Sequence, residues 1–140
     1  MDEIALMREI GRLQEQINAL RTIEVGGVWQ DWTPTVVGWS SLSLQNCQYS
    51  RIGNFVTVMY QIFGTSDSDS MYLDLPFAAD PSPNIAVMAY GVDNGVGLST
   101  PVYVVTDTVD RVRVYKTAAG ASWTASGTKR IITQFFYKAA

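Results

Sequence analysis

Histidine is absent from the 140 residues, and cysteine occurs once, at Cys47. Without an imidazole there is no Ser-His-Asp or Cys-His catalysis, no ordinary zinc site and no common general base. A lone cysteine forms no intrachain disulfide and no thiolate cluster. With no histidine to activate it, Cys47 is expected to pack as a small apolar residue. Charge is also scarce, at 16% of residues against 47% hydrophobic, which excludes wholesale disorder. Thirteen acids against ten bases argue against a protein that lives on a nucleic acid backbone. No apolar run approaches the roughly 20 residues of a membrane span. The opening MDEIALMREIGRLQEQ is charged throughout and lacks the apolar centre of a secretory leader. Synthesis in a cytosol is the expectation, with neither membrane nor nucleic acid as partner.

The residues that are present fall into two regimes that meet at Gly26-Gly27. Residues 1–25 are rich in Glu, Arg, Gln, Leu and Ile and hold no aromatic residue, a helix-forming composition. Leu6, Ile10, Leu13, Ile17 and Leu20 are spaced alternately four and three apart, a heptad seam with Ile at a and Leu at d. Arg8, Glu9, Arg12, Gln14, Glu15, Gln16 and Arg21 lie between them and suit a solvated face. About three heptads are marginal for an isolated helix, so this segment is expected to associate with copies of itself in parallel. The alternative is an amphipathic helix lying on its own domain. Ile at a with Leu at d favours two strands in model peptides, but so short a seam does not fix the number.

Residues 26–140 hold every Trp, Tyr, Phe and Pro and are rich in Val, Thr and Ser. Strands are predicted at 35–37, 44–50, 55–63, 71–75, 85–90, 102–106, 109–115 and 131–137. Between them lie turn signals such as Gly53-Asn54, Asp80-Pro81-Ser82-Pro83-Asn84 and Asp93-Asn94-Gly95. Short strands at such even spacing predict a β-sandwich or jelly-roll head. The fold class is therefore mainly β, with a short N-terminal coiled-coil stem. Trp29 and Trp32, just past the glycine joint, are expected to pack between subunits or at the base of the head.

Candidates for chemistry are few. Asp67 and Asp69 alternate with serines like the start of a calcium loop, but no later glycine and bidentate Glu complete one, and a solvated hairpin tip explains them. No pair of acids is spaced to identify a glycosidase site. Gly91-Val92-Asp93-Asn94-Gly95-Val96-Gly97 opens no helix and reads as a hairpin loop. Arg111-Val112-Arg113-Val114-Tyr115-Lys116 alternates basic and apolar residues, a strand with one basic face that Lys129-Arg130 could extend. No enzyme activity, cofactor or metal is expected. Loops 64–70, 91–100 and 116–122, with Asp67, Asp69, Asp93, Asn94 and Lys116, are the candidate contact surface.

Three motifs in order carry a resemblance. Trp32-Thr33-Pro34-Thr35-Val36 is followed by Tyr49-Ser50-Arg51-Ile52-Gly53-Asn54-Phe55-Val56-Thr57-Val58, then by Leu73-Asp74-Leu75-Pro76-Phe77. Behind a heptad helix, this order resembles the β-sandwich domains of tailed-bacteriophage tail fibres, head fibres and minor virion proteins. The resemblance spans residues 29–77. It implies a homotrimeric knob on the surface of a phage particle, anchored to other virion proteins (capsid, cement or tail) through the stem. Capsid decoration or a head fibre is favoured because only about 25 residues precede the sandwich. The alternative is a tail-fibre adhesin that binds host surface glycans, with avidity from threefold repetition. A small glycan hydrolase is the third class.

Overall fold

A computed structural model describes residues 2–25, 27–82 and 84–140, and their side chains except those of residues 20–25. The side chain of Leu20, the last position of the predicted seam, and Gly26, half of the predicted joint, lie outside what is described. Helix α1 spans Glu3–Val25. Asp2 caps it: the Asp2 carboxylate accepts a hydrogen bond from Ala5 N at 2.7 Å, satisfying one of the free amides of the first turn. Glu9 and Arg12 pair along the exposed surface of the helix.

Ten strands follow: β1 (Gln30–Trp32), β2 (Val36–Val37), β3 (Trp39–Ile52), β4 (Phe55–Ser66), β5 (Met71–Asp74), β6 (Ala86–Asp93), β7 (Val96–Gly97), β8 (Val102–Thr108), β9 (Arg111–Tyr115) and β10 (Thr128–Lys138). The chain is thus mainly β with one N-terminal helix among the described residues. The predicted β-sandwich or jelly-roll head is met at the coarser level of a β-rich fold. The strands form one antiparallel sheet in the order β1-β3-β4-β10-β6-β8-β9-β5-β2, with β7 paired to β6, curled into a half-barrel. The curl turns on β6. Its residues 90–93 pair with β10, while residues 86–89 pair with β8. Strand spacing reveals how many strands there are but not that one of them is shared between two halves.

The period-two pattern of side chains fills the inside of the curl. Val56, Val58, Tyr60 and Ile62 from β4 meet Ile131, Phe135 and Tyr137 from β10. Met71, Leu73, Val102, Val104, Val112 and Val114 line the opposite wall. Each buried Val, Ile or Leu contributes roughly 1.5–3 kcal/mol relative to exposure. Cys47 is buried in this core, and burial pushes its thiol up to about 11.

The two edges of the sheet, β1 and β2, are consecutive in sequence. Residues 33–35 run from one edge to the other. Pro34 O accepts a hydrogen bond from Gln45 Nε2 at 2.9 Å, and Thr35 O accepts one from Asp74 N at 3.2 Å. The Trp-x-Pro-Thr-Val stretch therefore ties both free edges of the curl together, which leaves little edge open to stray pairing.

Candidate functional site

Among the described residues, nothing in the head covers the apolar seam of α1 from Leu6 to Ile17. Leu6, Ile10, Leu13 and Ile17 are each 44–50% exposed, and Ile4 and Met7 are more so. The alternative reading, a helix laid on its own domain, would have buried these side chains.

The head end next to this stem is built from the three motifs. Ser50 Oγ donates to Gly27 O at 2.8 Å, fixing where the chain enters the sheet. Trp32 meets Tyr49 and Tyr60 edge-on at 6.4 and 5.9 Å, and Tyr49 meets Phe77 edge-on at 5.3 Å. The Arg51 guanidinium sits 4.4 Å from the centre of the Phe77 ring. Tyr137 O–H donates to Phe77 O at 2.8 Å and holds the Pro76-Phe77 turn in place. Burial pushes this phenol up to about 12. Trp32 is thus engaged in the aromatic cluster at the base of its own head, the second of its two expected places, and its buried indole N–H has no hydrogen-bond partner. Trp29 remains 42% exposed.

At the other end of β4, about 35 Å away at 3.3 Å per residue, the predicted loops converge. Ser66 N donates to Gly127 O, Trp123 N to Asp69 O and Gly95 N to Thr128 O. Asn94 and Gly95 both have positive φ, 50° and 78°, the requirement of a two-residue hairpin turn of the Asn-Gly kind. Asn94, Asp67 and Asp69 are exposed. Asp93 is corrected from a contact residue to a buried one, 4% exposed. Its carboxylate accepts from Lys116 Nζ at 2.9 Å and from Thr124 N and Oγ1. Burial works against the charge, but these bonds together outweigh it and hold the Asp93 pKa below the usual carboxylate value. Lys116, tied to Asp93, is itself only partly free.

Lys129, directly opposite Asp93 in the ladder, is 1% exposed. It donates to Gly38 O at 3.4 Å and to Ser68 O, pinning the Asp67–Ser70 loop from beneath. Burial lowers its pKa against the opposing pull of Asp93, Asp67 and Asp69. The extended basic patch expected from Lys129-Arg130 is thereby corrected. Neighbouring residues of a strand face opposite ways, so Lys129 points inward and Arg130 outward over the Phe63 ring, at 3.9 Å. Arg111 and Arg113 lie elsewhere, stacked on Tyr72 at 4.2 and 5.4 Å. Sequence parity signals Lys129: it shares its face with the apolar Ile131, Phe135 and Tyr137.

The outer face of β3, β4, β10 and β6 carries an unusual load. Phe55, Met88 and Phe136 are 51%, 68% and 66% exposed, and Ile52, Tyr90 and Ile132 also face outward. Phe55 and Phe136 stack on one another at 5.2 Å. The charged side chains on this face are Arg130 and Lys138, and Lys138 is paired with Asp80 at 3.1 Å.

Among the described residues no three metal-ligating side chains come together, and no helix is long and apolar enough to cross a membrane. The sequence matches no protein-family model and no curated protein.

Proposed function

We propose that this chain is a non-enzymatic structural protein of a tailed bacteriophage. In this reading it forms a homotrimeric knob that projects from the particle, with capsid decoration or a head fibre preferred. The apolar seam of α1, exposed in the single chain, carries the reading: it calls for copies of the same helix. The ordered motifs support it, since they build the junction between stem and head. The stem would anchor the knob to other virion proteins, and the loop end would face outward. Light scattering on the full chain tests the assembly. About three times 15.4 kDa is expected, and a monomer at micromolar concentration defeats the reading. Antibody labelling of phage particles tests the location, with label on the head expected and unlabelled particles counting against it.

A tail-fibre adhesin for host glycans is the second reading, favoured by the convergence of the three loops at the end away from the stem. Label confined to the tail tip, with glycan binding lost on changing Asn94 or Asp67, would replace the first reading with this one.

A further inference from the structure

We infer that the outer face of β3, β4, β10 and β6 is the surface through which the heads of neighbouring copies pack. The inference rests on the self-association proposed above and specifies where the heads meet.

Three observations converge on a second copy of this chain as the occupant. The first is area. A compact monomer of 15.4 kDa exposes roughly 7,200 Å², whereas this chain exposes 8321 Å². The excess of roughly 1,100 Å² is of the size that a projecting, uncovered helix exposes, and a stable interface buries roughly 800 Å² per partner, so a single copy has surface left to cover.

The second is position. Ile52 and Phe55 flank the Gly53-Asn54 turn at the stem end of the face. A side chain built on Gly27 would touch Ile52 at 3.2 Å, so the face begins where the stem enters the head. A parallel coil of α1 brings the stem ends of the heads together around one axis, and Ile52, Phe55 and Phe136 lie at that end of the face.

The third is chemistry. The face presents Phe55, Phe136, Met88, Tyr90 and Ile132 among uncharged Thr57, Gln61 and Gln134. Arg130 and Lys138 are already engaged by Phe63 and Asp80. Such a surface loses little charge hydration when covered, and its aromatic and methionine side chains are those enriched at interfaces. The face built from β8, β9 and β5 differs: it carries Arg111, Arg113 and Asp74.

Methionine oxidation of the unmodified full chain tests this without a mutation. Met88 is 68% exposed in the single chain, so on a free face peroxide should convert it to the sulfoxide as fast as in the unfolded chain. Covered by a neighbour, Met88 should react at least fivefold more slowly at assembled concentrations and recover the fast rate on dilution. A trimer whose Met88 oxidises at the unfolded rate sinks the inference and leaves the stem reading standing. A monomeric full chain sinks both. The double variant Met88→Glu, Phe136→Glu gives a second measure. Both positions are outward-facing, and the expected result is at least tenfold weaker association in the full chain. Unchanged association in the folded variant would also overturn the inference.

Discussion

The helix and the head solve the same problem in opposite ways. Every second residue of β10 from Lys129 to Tyr137 is buried by its own chain, so the inner face of the head is complete in one copy. The helix has the same kind of residues, Leu and Ile at regular spacing, yet its described seam is half exposed. A curled sheet can close over its own apolar face, whereas a lone helix with a two-position seam has to find another helix. If copies associate through α1 as proposed, head stability and association are written in different residues, and each can be broken without the other.

The largest expected effect tests the head alone. Ile62 and Leu73 are fully buried on facing walls of the curl. Leu73→Ala should cost about 2–5 kcal/mol of head stability through lost burial and the cavity left behind. Denaturant unfolding followed by tryptophan fluorescence measures it, since every tryptophan lies outside α1. Below the transition, the mass by light scattering should match that of the unaltered chain. Loss of association at full head folding would show that the two regions are not separable.

The converse change is Ile10→Asp. Ile10 is 44% exposed, so its loss should leave the head's unfolding midpoint within about 0.5 kcal/mol of the parent. Association should weaken at least tenfold, because a carboxylate would be buried in the seam. Sedimentation equilibrium reads the effect. An unchanged mass would mean that the heptads do not drive assembly.

How much of this was legible in the sequence differs between the regions for a physical reason. A helix seam is local, so Leu6 to Ile17 could be read directly. The strand at 55–63 and the Asn94-Gly95 hairpin were legible too, because alternation and turn chemistry are short-range. Pairing is not. That β1 and β2 are opposite edges of one sheet depends on contacts many residues apart, and so does the sharing of β6. The polar residues failed most clearly. Asp93 and Lys116 look like loop tips, but Asp93 points inward and draws Lys116 to it. Parity placed Lys129 on the inner face; its type argued for solvent, and parity prevailed.

Alkaline pH should separate the regions chemically. Cys47 rises from 9.0 to about 11 and Tyr137 from 10.0 to about 12, both through burial in the head. As pH climbs above about 9, the unfolded chain gives up protons that the folded head retains, so head stability falls. Relative to the parent, Cys47→Ala should flatten the part of the decline between about pH 9 and 11. The stem's bases are arginines, which keep their charge over this range, so the helical signal of associated α1 should persist. Circular dichroism with denaturant at about pH 8 and pH 10.5 checks both halves. An equal loss in stem and head would point to one cooperative unit.

The smallest effect is the same substitution made once in each region. Gly11 lies in the middle of α1, and a Cβ built there meets nothing within 4 Å. Gly11→Ala therefore removes backbone entropy from the unfolded chain without a clash and should stabilise the associated helix by about 1 kcal/mol per chain. Gly53, in the two-residue turn between β3 and β4, also has open space around it, but its φ is +58°. There the added Cβ is opposed by its own backbone, so Gly53→Ala should cost the head about 1–2 kcal/mol. Both changes add one methyl group in open space, so burial and packing cancel from the comparison and only backbone conformation is left to set the sign. Thermal melting of the two variants beside the parent reads it. If both variants melted below the parent, α1 would not be the regular, continuous helix that the seam requires.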